Sequence, residues 1–192
     1  MISLLSRRIF FGLCAMIFMM LALLGEIVHA KTSAIEVNYL QVTELNNELR
    51  LDAEIAYELN SEVREALANG IPLLFQVEVQ IISLKKWLWD KVISTTVKTY
   101  SLKYHVLSKQ YILENFETGK RHSYPDLQSV LIQQGRITAM YIAEADNLNQ
   151  QKKYVVQLRS RLLTNELPLP LRMKSYISPK WRLSSGWHQW PL

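Results

Sequence analysis

Apolar and polar residues alternate with a period of two along most of the chain beyond residue 34. Between Leu49 and Tyr57, apolar residues at every second position are separated by Arg50, Asp52 and Glu54. Such alternation is typical of a strand with one buried face. The same pattern predicts strands over residues 35–39, 49–57, 73–81, 100–106, 111–116 and 154–162.

Turn residues separate these strands. Asn46 and Asn47 lie between the first two strands, and asparagine tolerates the positive φ of a tight hairpin turn. Residues 117–120, which include Gly119, predict a turn after strand 111–116. The segment 87–90 is flanked by the long strands 73–81 and 100–106, so we expect it at the tip where those strands pair.

Two short helices are predicted between strands. The first covers 61–69, with Asn60 or Ser61 as the N-cap and Gly70 at its end. Its apolar stripe is Val63, Ala66 and Leu67.

The second helix is predicted at about 124–134. Ser123 and Asp126 have the spacing of a capping box, and Gly135 is placed for a left-handed C-cap. Together the elements indicate a mainly β protein: an antiparallel two-sheet sandwich, immunoglobulin-like in general form, with two short helices.

The C-terminal region allows two interpretations. The Leu-Pro alternation at 167–171 favours an extended edge segment, because proline cannot donate to a strand ladder. Trp181, Trp187 and Trp190 crowd the last residues of the chain. They either fold back as the last strand and close the sandwich, which we favour, or form a docking surface.

The first 30 residues have the organisation of an export signal. Arg7 and Arg8 precede an apolar run at 9–24, and Ala30 is a residue that a signal peptidase accepts. We expect residues 1–30 to be removed, leaving one domain over 31–192. The alternative is an uncleaved anchor, because 16 apolar residues fall just short of a bilayer span. Either way the domain is expected in the periplasm, free or tethered to the inner membrane by residues 9–24.

Removal of the leader changes both the redox chemistry and the charge. The only cysteine, Cys14, lies within it, so the mature chain has no disulfide and no thiolate nucleophile. The whole chain has 22 Lys+Arg and 17 Asp+Glu; without Arg7, Arg8 and Glu26 these become 20 and 16, a net charge of +4. This mild excess suits an anionic surface or an acidic partner, and no nucleic-acid motif is present.

The sequence contains no recognisable catalytic or metal-binding signature. His105, His122 and His188 lack the short spacings of zinc ligands, so we interpret them as solvated. Asp52 and Glu54 could form an acid/base pair, but outward-facing strand positions explain them better. We therefore predict no catalytic residue, no metal site and no cofactor.

Exposed aromatic and basic residues predict an interaction surface instead. Trp87 and Trp89 lie at the expected hairpin tip beside lysines, where they could dock on a protein or at a membrane interface. Two arginines alternate on strand 154–162 and could bind an anionic partner. The candidate residues are Lys85, Lys86, Trp87, Trp89, Arg159 and Arg161.

Several phrases together resemble a known family. They are residues 58–73, residues 87–90, Tyr104-His105 with Gln110-Tyr111, and the closing tryptophan phrase at 181–190. The set resembles the exported bacterial family called domain of unknown function 4390, over nearly the whole mature chain. The resemblance implies a leader but no activity. Genes of this family often lie beside a nitrogen-regulation-type membrane sensor kinase and its response regulator.

The leading hypothesis from the sequence is a non-enzymatic periplasmic interaction module that binds a protein of the cell envelope. The resemblance makes a membrane sensor histidine kinase the candidate partner. One alternative is a module that binds a small ligand or a cell-envelope glycan. Another, less favoured, is a hydrolase whose carboxylates are brought together only by the fold.

Overall fold

A computed structural model describes residues 34–85, 89–149 and 151–192. The predicted leader, with Cys14 and the apolar run 9–24, lies outside these residues, as do Lys86 and Trp87. The strands are β1 Ala34–Leu45, β2 Glu48–Glu58, β3 Leu73–Ser83, β4 Lys91–His105, β5 Gln110–Asn115, β6 Arg121–Tyr124, β7 Arg136–Glu144, β8 Tyr154–Leu162 and β9 His188–Pro191. The helices are α1 Ser61–Ala68, α2 Leu127–Gly135 and α3 Leu169–Ile177, with 3₁₀ turns at Ala145–Asn147, Thr164–Glu166 and Pro179–Trp181.

The described strands form two antiparallel sheets. The smaller has the order β1-β2-β7, and the larger has the order β6-β5-β4-β3-β8-β9. Every neighbouring pair of strands runs antiparallel. The prediction of a mainly β, antiparallel two-sheet protein is confirmed.

The first hairpin forms as the sequence predicts. Asn46 and Asn47 have φ values of 52° and 66°, and Leu45 pairs with Glu48 across the turn. Two consecutive residues with positive φ give a hairpin turn whose twist matches that of the strands.

One apolar core lies between the sheets. The inward residues of β2 and β3 are buried at every second position, as their alternation predicts. Tyr57 of β2 packs edge-on against Phe75 of β3, with ring centroids 5.3 Å apart, and its hydroxyl lies 2.8 Å from Ser160 Oγ of β8. Among the described residues, this core runs from Ile35 to Leu183.

Helix α1 is confirmed and α2 is shifted. Asn60 caps α1 by accepting a hydrogen bond from the Val63 amide at 3.0 Å. The predicted start of α2 at residue 124 is wrong, because Tyr124 ends β6 and pairs with Tyr111. Asp126 is the N-cap, and it accepts a hydrogen bond from the Ser129 amide at 2.8 Å.

The predicted left-handed C-cap at Gly135 is also wrong. Gly135 ends α2 with a φ that is not positive, and it packs against the backbone of β2. A Cβ at this position would lie 1.9 Å from the Ile55 carbonyl oxygen. The glycine is therefore needed because the two backbones approach closely, and not because of the turn that follows.

The extended edge segment predicted at 167–171 is wrong, because most of it belongs to α3. Pro168 is the N-cap residue and Pro170 lies in the first helical turn. Proline costs nothing there, since the first amides of a helix have no partner within it.

The end of the chain folds back as the last strand, as predicted, but only one of the three C-terminal tryptophans is buried. β9 pairs with β8, with Trp190 opposite Val156. Trp181 is buried in the core, whereas Trp187 and Trp190 stay partly exposed.

Candidate interaction surface

Three polar pairs cross the outer face of the larger sheet. β3 and β8 place Gln76 opposite Arg161, Glu78 opposite Arg159 and Gln80 opposite Gln157. The cross-strand hydrogen bonds measure 2.8 Å from Arg161 to Gln76, 2.7 Å from Arg159 to Glu78 and 2.9 Å from Gln157 to Gln80. These bonds hold the polar side chains of the face in fixed positions.

The two predicted arginines lie on this face, but they differ in electrostatic character. Arg159 forms an ion pair with Glu78, and its guanidinium lies 4.4 Å from the centroid of the Trp187 ring. Arg161 bonds only the neutral amide of Gln76 among the described residues. Arg161 therefore keeps a charge available to a partner, whereas the charge of Arg159 is already compensated.

The hairpin tip between β3 and β4 carries the most exposed tryptophan of the described chain. The side chain of Trp89 is 92% exposed. The tip is closed by a hydrogen bond from the Lys85 amide to Asp90 Oδ1 at 3.1 Å, and the Leu84 amide donates to the Lys153 carbonyl at 2.9 Å. Lys85 and Trp89 are thus exposed to solvent beside these hydrogen bonds.

The structure also shows a feature that sequence analysis missed: half of β4 has a free edge. β4 is 15 residues long, but β5 pairs only with its last six residues, from Tyr100 to His105. At Thr99 the carbonyl still accepts a hydrogen bond from the Phe116 amide at 2.9 Å, and the amide donates to Glu117 Oε1 at 2.6 Å. Before Thr99, no described strand pairs with this side of β4, although Ser94 Oγ donates a hydrogen bond to the Ile142 carbonyl of β7 at 2.8 Å.

The free edge presents unpaired backbone groups in a defined direction. In a strand, the amide and the carbonyl of one residue point to the same side, and those of the next residue point to the opposite side. Since Thr99 directs its own groups towards the β5 side, Val97 and Thr95 direct theirs to the same side. These two residues therefore offer two donors and two acceptors to an additional strand.

Exposed apolar side chains accompany this edge. Val92, Ile93 and Val97 are exposed, and Lys91 and Lys98 lie at its two ends. The register of β4 against β3 shifts between Ile81 and Ile82, which marks a bulge near residue 93. Because a bulge interrupts regular pairing, the usable edge is the stretch 94–98. We call these five residues the free β4 edge.

The three histidines considered as metal ligands lie on three different strands. His105, His122 and His188 are all exposed, on β4, β6 and β9 respectively. Among the described residues, no group of three His, Cys, Asp or Glu side chains could hold a metal ion. Asp52 accepts a hydrogen bond from the Ala139 amide at 2.9 Å, which is a structural role on the smaller sheet.

The match to known proteins is at the level of the family. A family model described as Domain of unknown function (DUF4390) matches residues 32–191. The chain belongs to this family. Searches of curated proteins and of solved structures find no match to this DUF4390 protein. The family description names no activity, so the function must be argued from the surfaces of the domain.

None of the helices in the described region is both long enough and apolar enough to cross a bilayer.

Proposed function

We propose that this DUF4390 protein is a non-enzymatic periplasmic interaction module that binds an extended segment of an envelope protein along the free β4 edge. The observation that carries the proposal is the partly covered strand β4, whose stretch 94–98 pairs with no strand on the β5 side among the described residues. Export by residues 1–30, as a cleaved leader or as an anchor, is part of the same proposal.

An exposed strand edge favours a partner segment in extended conformation. Unpaired backbone donors and acceptors at Thr95 and Val97 are best satisfied by another strand, which makes main-chain hydrogen bonds while its side chains supply specificity. Monomeric proteins usually protect such edges with charge, bulges or covering loops. Here Val92 and Val97 are exposed beside the edge, which favours a surface that is covered when the protein acts.

Charge and aromatic residues narrow the choice of partner. Lys85, Trp89 and Lys91 are exposed, and Lys91 begins the strand that carries the edge. An extended segment with acidic residues and an apolar side chain near Trp89 fits this arrangement. The family's gene neighbourhood makes the extracytoplasmic part of a membrane sensor kinase the first partner to test.

A photo-crosslinking experiment in cells tests the proposal. A photoreactive phenylalanine analogue is placed in turn at Thr95, at Val97 and at Val106, an exposed valine just beyond β4 and away from the free edge. We expect positions 95 and 97 to crosslink to one envelope protein, identified by mass spectrometry, and position 106 not to. The same spectra report the N-terminus, which should be Lys31 if the leader is removed.

Two substitutions then test whether the edge itself binds. Thr95→Pro removes an amide that no described strand uses, and Val97→Lys adds a charge where a partner strand would lie. We expect each to reduce crosslinking from a probe at Trp89 by about tenfold, whereas Val106→Lys should leave it unchanged. Equal crosslinking in all variants would refute the edge as the binding site, and crosslinks only between two copies of this chain would replace the partner with a homodimer.

A further inference from the structure

Helix α3 turns an apolar stripe away from the protein. Leu169, Met173, Tyr176 and Ile177 are each more than 60% exposed. Their spacing of i, i+4, i+7 and i+8 places them on about 100° of one helix face. A surface helix normally directs such a stripe into the core, so this one is available to something outside the domain.

The opposite face of α3 attaches the helix to the domain. Ser175 is buried, and its hydroxyl donates to the Arg172 carbonyl at 2.7 Å. Arg172 donates to the Leu167 carbonyl at 3.1 Å, and Leu171 packs against the core. The helix is therefore held in one orientation, with its apolar stripe outward.

The surroundings of the stripe are basic. From Leu167 to Leu192 the chain contains four Lys or Arg residues and no Asp or Glu. Glu62 of α1 pairs with two of the lysines, Lys174 at 3.1 Å and Lys180 at 2.9 Å. The local charge remains positive after this pairing. An apolar stripe flanked by cations is the pattern of a helix that lies on an anionic lipid surface.

The start of β1 lies close to the region that follows α3. Ala34, the first described residue, pairs with Glu58 at the end of β2. Two residues later, Asn60 donates to the Lys180 carbonyl at 2.7 Å. The start of β1 and the region after α3 therefore both adjoin the start of α1.

We propose that α3 lies in the surface of an anionic bilayer, with Leu169, Met173, Tyr176 and Ile177 among the lipid headgroups and the neighbouring Lys and Arg residues at the phosphates. An aromatic and three aliphatic side chains suit the interfacial region, and the cations add affinity for anionic lipid. This membrane contact is separate from the free β4 edge and would orient that edge relative to the membrane.

Vesicle flotation tests the proposal. The chain beginning at Lys31 is used because it keeps every core residue of the described region, from Ile35 to Leu183, and lacks the apolar run. It is mixed with vesicles of phosphatidylcholine containing about 30% phosphatidylglycerol, or with pure phosphatidylcholine. We expect binding to the anionic vesicles, a marked loss on pure phosphatidylcholine and a further loss at high salt.

A matched pair of double variants locates the contact. Met173→Glu with Ile177→Glu places two acids in the stripe and should weaken vesicle binding about tenfold or more. Leu107→Glu with Ile132→Glu makes the same change in charge at exposed apolar residues elsewhere, and it should bind nearly as the parent does. All four positions are exposed, and circular dichroism verifies that each variant is folded.

Three results would overturn the proposal: no binding of the parent to anionic vesicles, equal loss in both double variants, or sedimentation showing that the stripe joins two copies of the chain. The Thr95→Pro variant separates this inference from the proposed function. It should bind vesicles like the parent, whether or not the edge binds a protein.

Discussion

At the scale of single residues, Glu62 joins α1 to the region after α3. Its carboxylate accepts hydrogen bonds from Lys180 at 2.9 Å and from the Trp181 indole at 3.3 Å, and it pairs with Lys174 at 3.1 Å. The hydrogen bonds from Lys180 and Lys174 lower the pKa of Glu62 from 4.5 to about 2. The charged form of this carboxylate is therefore favoured in the folded state.

Glu62→Gln should lower the thermal midpoint near neutral pH and weaken the pH dependence in acid. Because the folded pKa lies below the unfolded one, the stabilisation is fully present above pH 4.5 and is lost as the pH falls towards 2. The parent and the variant should therefore differ most near neutral pH and converge in acid. Melting curves of both proteins across this range measure the effect. Glu65→Gln is the control, since Glu65 makes no ion pair within the described residues, and an equal loss there would contradict the assignment.

Gly135 is the position where an added methyl group should cost most. Its Cβ would lie 1.9 Å from the Ile55 carbonyl oxygen, so α2 would have to move away from β2. We expect Gly135→Ala to reduce the free energy of unfolding by more than about 3 kcal/mol, measured by urea denaturation. Gly119→Ala is the control: it has φ of +66° but nothing within 4 Å, so about 1 kcal/mol is expected. Similar losses at both glycines would show that backbone conformation, and not close packing, decides the cost.

At the scale of elements, the sequence correctly predicted the turn and the helix that depend on residues close together in the chain. The β1–β2 turn depends on Asn46 and Asn47, and α1 depends on its cap and its apolar stripe. α3 was missed because the Leu-Pro alternation resembles an extended segment. The helical signal was nevertheless present: Pro170 suits a first turn, and the apolar spacing after Leu169 is helical.

The free β4 edge could not be predicted in this way. The stretch 91–99 of β4 lacks the apolar alternation that predicts the strand at 100–106, and its free edge depends on β5 ending at Asn115, opposite Tyr100. The compensated charge of Arg159 is a similar case, because Glu78 reaches it only through the register of β3 against β8. The sequence indicated the basic residues of the surface, but pairing between distant segments decides which charges remain available.

At the scale of the whole domain, Tyr57 couples the two sheets. It belongs to the smaller sheet, yet its ring packs against Phe75 and its hydroxyl bonds Ser160, both of the larger sheet. Burial raises the pKa of Tyr57 from 10.0 to about 12. The neutral phenol is therefore part of the packed interface, and the two sheets should unfold as one cooperative unit.

Tyr57→Phe should destabilise the domain by about 1 to 2 kcal/mol near neutral pH, because the buried Ser160 hydroxyl loses its partner. Above pH 10 the unfolded tyrosine ionises while the folded one does not, so the parent loses stability until about pH 12. The variant lacks this loss, so the difference in free energy of unfolding between the two proteins should close in alkali. Tyr100, Tyr111 and Tyr124, whose pKa values burial also raises, are present in both proteins and cancel in the difference.

Urea unfolding near neutral pH and above pH 10 measures this difference in free energy. The unfolding is monitored by tryptophan fluorescence and by circular dichroism. The double variant Tyr57→Phe with Ser160→Ala removes both partners and should recover part of the loss, because no buried hydroxyl is left unpaired. Transitions that coincide by both probes in the parent establish cooperativity between the sheets. If the difference stays constant in alkali, or if the double variant is as unstable as the single losses added together, the Tyr57–Ser160 bond is not what couples them.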